Sequence, residues 1–203
     1  MVTRVETLHA VEVRVLGALI EKDITTPEYY PLTVNSLQNA CNQKSSRDPV
    51  VQFDEQTVEQ ALETLKNKHL VVRISGAGHR VEKWAHRLGE MLNLGRREMA
   101  LLCVLMLRGP QTVGELRGRT ERMHEFTDLE EVERVLETLE GRELVARASR
   151  GRWAQLLGGA VEVEDSQPVA VVRTPLEERV EALEQDLQNL KKQLQEKLGE
   201  SFE

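Results

Sequence analysis

Apolar residues recur along this chain with two periods, and the order of those periods repeats. Val11, Val15, Leu16, Leu19 and Ile20 fall three or four residues apart and predict a helix over 6–21. Pro27 and Pro31 interrupt, because each restricts the residue before it; Tyr29 and Tyr30, lying between them, are expected to cover the first core. Val34, Leu37 and Cys41 mark the inner side of a short second helix over 33–44, capped by Thr33. Val58, Ala61, Leu62 and Leu65 mark a third, opened by Asp54 with Phe53 and Val58 at the two positions of a hydrophobic staple. Strands are then expected over about 70–75 and 80–85, joined by a turn at Gly76-Ala77-Gly78.

The same succession returns. Asp54, Val58, Glu63-Thr64-Leu65, Leu70-Val71 and Arg73 align with Asp128, Val132, Glu137-Thr138-Leu139, Leu144-Val145 and Arg147, all at an offset of 74. Trp84-Ala85 aligns with Trp153-Ala154 at 69, so the second hairpin is five residues shorter. Thr33-Val34-x-x-Leu37 aligns with Thr112-Val113-x-x-Leu116 at 79, and the first helix aligns with 98–105 at 86. Length is lost only between elements, as expected when loops vary around a kept core.

Helix, helix, helix, strand, turn, strand, with a short second helix close to the third, is the pattern of a winged helix-turn-helix. The expected fold is therefore mainly α with small β-wings (α+β): a first winged-helix domain over 1–90 and a second over 91–157. A linker over 158–175 shows no helical period. Over 176–203, Leu176, Val180, Leu183, Leu187, Leu190 and Leu194 alternate spacings of four and three, the seam of a coiled coil about three heptads long. Arg179–Glu184 and Asp186–Lys191 are attractive across a parallel dimer, so residues 176–198 are expected to pair in a homodimer; folding back on the chain's own globular part is the alternative.

Composition narrows the function. A net charge of −7 argues against nonspecific attraction of the whole protein to polyanions. No apolar signal segment is visible, and the longest apolar run, 100–107, is far short of the about 20 residues that span a bilayer, so a cytoplasmic protein with no membrane partner is expected. Cys41 and Cys103 fall in helices of different repeats and read as small buried hydrophobes. No phosphate loop or nucleophile elbow is present, and the five histidines stand without carboxylate or thiol partners at ligand spacing. The expectation is a protein that is not an enzyme, with no catalytic residue, no metal, no cofactor and no small-molecule substrate.

Charge is distributed unevenly. The third helices are acidic, net −2 over 54–68 and −5 over 127–141, and would be repelled by the phosphates lining a DNA groove. The hairpins are basic, +2 over 69–90 and +3 over 142–153, as is 108–122 at +2. The second helix of the first repeat carries an amide-rich outer face, which reads equally as a contact surface or as a solvated one. The run LGALIEKDITTPEYYPLTVNSLQNACNQKSSRDPV, with SGAGHRVEKWAHRL and ELRGRTERMHEF, resembles the bacterial YceH family over nearly the whole chain, ACNQKSSRDP being the most specific part. The resemblance implies a tandem winged-helix fold, no assigned biochemical function and no catalytic residues to carry over. The fold also resembles the acidic tandem winged-helix subunit of bacterial condensin, which binds proteins; no motif is shared, so this is analogy. The expected function is a DNA-binding or transcription-related regulator that contacts double-stranded DNA through wings and second helices, using Asn39, Asn42, Lys44, Arg47, Arg80, Arg117, Arg119, Arg150 and Arg152. The alternative is an acidic adaptor that binds a protein partner without touching DNA.

Overall fold

The computed structural model describes residues 6–75 and 81–159. The linker and heptad segment lie outside them except for Gly158 and Gly159, as does Arg80. Seven α-helices and two small antiparallel hairpins make up the described residues: α1 (Ala10–Thr25), α2 (Val34–Cys41), α3 (Glu55–Asn67), β1 (Val71–Ile74), β2 (Lys83–His86), α4 (Leu88–Leu92), α5 (Arg96–Arg108), α6 (Val113–Thr120), α7 (Leu129–Glu140), β3 (Val145–Ala148) and β4 (Arg152–Gln155). The α+β class expected from the sequence holds.

The two halves repeat at the level of single hydrogen bonds. Thr33 Oγ1 accepts from Ser36 N–H and Thr112 Oγ1 from Glu115 N–H, capping α2 and α6 alike. Asp54 Oδ1 and Asp128 Oδ1 cap α3 and α7 in the same way. Both third helices are followed, two or three residues past their last turn, by a left-handed non-glycine residue, His69 (φ 61°) and Glu143 (φ 58°). That turn lets Leu70 N–H reach Leu65 C=O, and Leu144 N–H reach Leu139 C=O. Each hairpin is extended by a two-way backbone bridge from the segment before the second helix, Leu32 with Trp84 and Gln111 with Trp153. Trp84 and Trp153 thus lie between a hairpin and the core, both at most 4% exposed, the structural placement their repeat spacing predicts.

Several boundaries moved. The first helix starts at Ala10 because the Glu12 carboxylate accepts from His9 N–H (2.7 Å), and it continues to Thr25 with Ile24 still packed on the core. The second helix stops at Cys41, where the Asn42 side chain turns to the Phe53 backbone. Tyr30 packs on the core, its hydroxyl accepting from His86 N–H (2.6 Å). Tyr29 does not cover the core as expected: it is 71% exposed.

The halves share one continuous apolar cluster, and α1 packs along α5. At their closest approach stands Gly17, where a Cβ would lie 3.1 Å from Leu107 Cδ2 and 3.2 Å from Met106 Cβ. Cys103, the residue aligned with Gly17 in the second repeat, faces it and donates its thiol hydrogen to Gly17 C=O. Further ties close the ends: Leu8 N–H donates to Leu157 C=O (2.7 Å), and the Arg142 guanidinium donates to Leu92 C=O. The boundary expected at 90/91 falls inside α4.

Candidate nucleic-acid interface

The nine residues expected at an interface separate by half. In the first half, Arg47 is a scaffold residue. It is only 6% exposed, and its guanidinium donates to both oxygens of Glu21 (2.7 and 3.1 Å), twice to Ala40 C=O, and to Ser46 C=O and Gln43. A side chain so enclosed reaches no outside phosphate, which corrects its assignment. Arg14, equally buried, donates to Cys41 C=O (3.2 Å) and Pro49 C=O (2.6 Å). Two arginines therefore pin the 41–50 loop from beneath. The signal that could have flagged this lies in Arg14 itself, a lone cation on the apolar side of α1.

Asn42 is also structural. Its amide donates to Phe53 C=O and accepts from Phe53 N–H, both at 2.8 Å, imitating a strand partner. This removes it from the contact list by the same physical reason: its polar atoms already have partners. Asn39 and Lys44 are exposed, Asn39 bonding only to Asn35 (3.3 Å).

The surrounding carboxylates are fixed by the same cations. Burial works against ionisation of Glu21, but Arg47 and Lys22 outweigh it and hold its carboxyl below the ordinary range. Burial likewise opposes Glu12, and His9 N–H with Lys68, whose Nζ lies 2.9 Å from both oxygens, holds it low. Burial pushes the Cys41 thiol up to about 12, so it carries no thiolate chemistry at neutral pH.

In the second half the arginines stay near the surface. Exposed Arg117 leans back on Phe126 C=O (3.3 Å) and Thr127 C=O (2.9 Å) and keeps its charge uncompensated. Arg119 lies 3.5 Å from Glu115, one turn away. Arg152 pairs with the same Glu115 (2.7 Å) and donates to Pro110 C=O. Glu115 also accepts from Thr112 N–H, so the one carboxylate orients α6 and the hairpin together. Arg150 sits exposed at the tip of the β3–β4 turn at φ 58°, next to Gly151 at φ 67°. Arg147, opposite Trp153 in the hairpin register, rests its guanidinium 4.4 Å from the centre of the indole. Arg122 follows α6, exposed.

The comparison with known sequences covers both halves. The family described as "Protein of unknown function, DUF480" matches residues 8–152. The chain belongs to the DUF480 family. It is similar to a "UPF0502 protein" of Solibacter usitatus, 54% identical over 193 residues that cover 91% of this chain and 93% of that protein. Relatives of the same name stand at 52% identity in Geotalea daltonii (89% and 88% covered) and 43% in Serratia proteamaculans (93% and 94% covered). The DUF480 match runs from Leu8, at the start of the first core, to Arg152, at the start of the last strand. Among the described residues, no helix is long and apolar enough to cross a membrane.

Proposed function

We propose that this DUF480 protein is a tandem winged-helix binding protein, without catalytic activity of its own, that contacts double-stranded DNA through the second half: α6 and the β3–β4 hairpin. The observation that supports this is the sorting of charge there. Arg117, Arg119, Arg122, Arg147, Arg150 and Arg152 stand on α6, the segment after it and the hairpin, while Glu130, Glu133 and Glu137 stand exposed on α7. Phosphate contacts need cations and supply most nonspecific affinity. A third helix as acidic as α7 cannot enter a groove, so the docking differs from the usual recognition-helix mode. Residues 176–198 bring two such surfaces together if they pair as their heptads predict.

The test is fluorescence anisotropy with a random-sequence duplex at low and moderate salt. Binding is expected at low salt and should weaken steeply as salt rises. Arg150→Asn is the informative variant. Asparagine tolerates the left-handed turn better than arginine, so stability should hold or rise while DNA affinity falls. An absence of binding at low salt would favour the second reading, a protein adaptor. One observation points that way: Leu129 is 47% exposed at the start of α7, beside Glu130 and Glu133, a face suited to a basic partner.

A further inference from the structure

Between the two halves lies a cleft with about 50 Å³ of free space; Glu21, Thr25, Ser46, Arg108, Arg119 and Arg122 form its polar wall, and the rest of its lining is apolar. It is composite: α1 and the 41–50 loop come from the first half, α5, α6 and the segment after α6 from the second. Its charge is unbalanced. Glu21, the carboxylate on its wall, is already engaged by the two terminal nitrogens of Arg47 and by Lys22 (3.0 Å). Arg119 shares Glu115 with Arg152. Arg108 and Arg122 make no ion pair with any described residue. Arg108 is half-buried, and burial together with the charges of Arg119 and Arg47 destabilises its cationic form, against which Glu21 and Asp48 act only at a distance. Like charges turned toward one half-sheltered space are unfavourable unless an anion is to occupy it.

The geometry points to a seat for a single phosphate group in this cleft, held by Arg108, Arg119 and Arg122, with Thr25 and Ser46 on its wall. Guanidinium forks match tetrahedral oxyanions, and the space is on the scale of one or two water volumes, too small for a base or a sugar. On the reading proposed above, the occupant is a backbone phosphate of duplex DNA, which would thereby touch both halves at once. A free phosphate or pyrophosphate offers the same chemistry.

Two measurements on the full chain separate these sources. The first is the thermal midpoint in millimolar inorganic pyrophosphate against sodium chloride of matched ionic strength. The wild type should rise by about 2–4 °C, as one ligand bound to the native state requires. Arg108→Gln/Arg122→Gln, and Arg122→Gln alone as the surface change that leaves the fold intact, should lose the rise. The second is duplex-DNA anisotropy against salt, where the double variant should bind about tenfold more weakly and its log–log salt slope should drop by about 1–2. A pyrophosphate rise without DNA binding supports the seat as a free-anion site and removes the DNA reading. DNA binding untouched by the double variant, with no pyrophosphate rise, overturns the seat and leaves the DNA reading standing. A rise that persists in both variants also overturns it, and no response in either experiment ends both proposals.

Discussion

The two halves are built on one plan and use their cations in opposite ways. In the first half Arg14, Arg47 and Lys68 turn inward, onto loop carbonyls, Glu21 and Glu12. Arg73, opposite Trp84 in the first hairpin, pairs with Glu82 (3.1 Å). In the second half the aligned Arg147 lies on its tryptophan instead, and Arg117, Arg122 and Arg150 remain at the surface. A duplicated scaffold has therefore divided its labour. One copy gives its charge to holding the loop and seam in place, and the other leaves more of its charge at the surface.

The largest effect should come from breaking the inward arrangement. Arg47→Met leaves Glu21 with Lys22 alone and takes the donor from the Ala40 and Ser46 carbonyls, and urea unfolding should show a loss of about 3–5 kcal/mol. A loss below about 1 kcal/mol would mean that the loop is held by other means. Next, Gly17→Val sets a branched side chain where a Cβ alone already crowds Leu107 and Met106 and should cost about 1–3 kcal/mol. Because α1 and α5 join the halves, a single unfolding transition is expected for wild type and variant; two separated transitions would show that each half is stable alone.

Acid should sharpen the contrast. Glu12 and Glu21 have folded pKa values below their ordinary 4.5, so the unfolded chain binds their protons more readily. The stability they contribute is complete above that ordinary value and is lost as pH falls through the lowered folded values. Unfolding free energy measured from pH 6 to pH 3 should decline, and Glu12→Gln and Glu21→Gln should each flatten the slope while lowering stability at pH 6. The smallest effect is at the caps. Thr33→Ala and Thr112→Ala should each cost about 1 kcal/mol. The second should cost more, because the Thr112 hydroxyl also donates to Glu115, the carboxylate that orients Arg119 and Arg152. Equal losses would argue that this carboxylate is not organising the second half.

Element order and core were legible in the sequence because leucine and valine spacing reports burial directly. The Trp84 and Trp153 alignment reported two hairpins docked in the same way, which the bridges to Leu32 and Gln111 explain. Sequence did not reveal which cations were free. Arg47 and Arg150 both sit in polar loops, yet one is enclosed by Glu21 and Ala40, partners 26 and 7 residues away, and the other stands on a turn tip. Side-chain partnership depends on tertiary distance, and hydrophobic periodicity does not encode it. For the same reason Asn42 read as part of an outer face, when its amide completes the backbone pairing of Phe53.

The crossing at Gly17 has a consequence for anyone dissecting the molecule. Expressed without residues beyond 90, the N-terminal fragment would offer to water the side of α1 on which Met106 and Leu107 normally rest. Such a fragment should precipitate or cling to its own kind, and adding back the missing piece in trans should rescue its solubility. Binding assays on isolated halves would then record the behaviour of an exposed wound, so the intact polypeptide is the smallest object worth assaying.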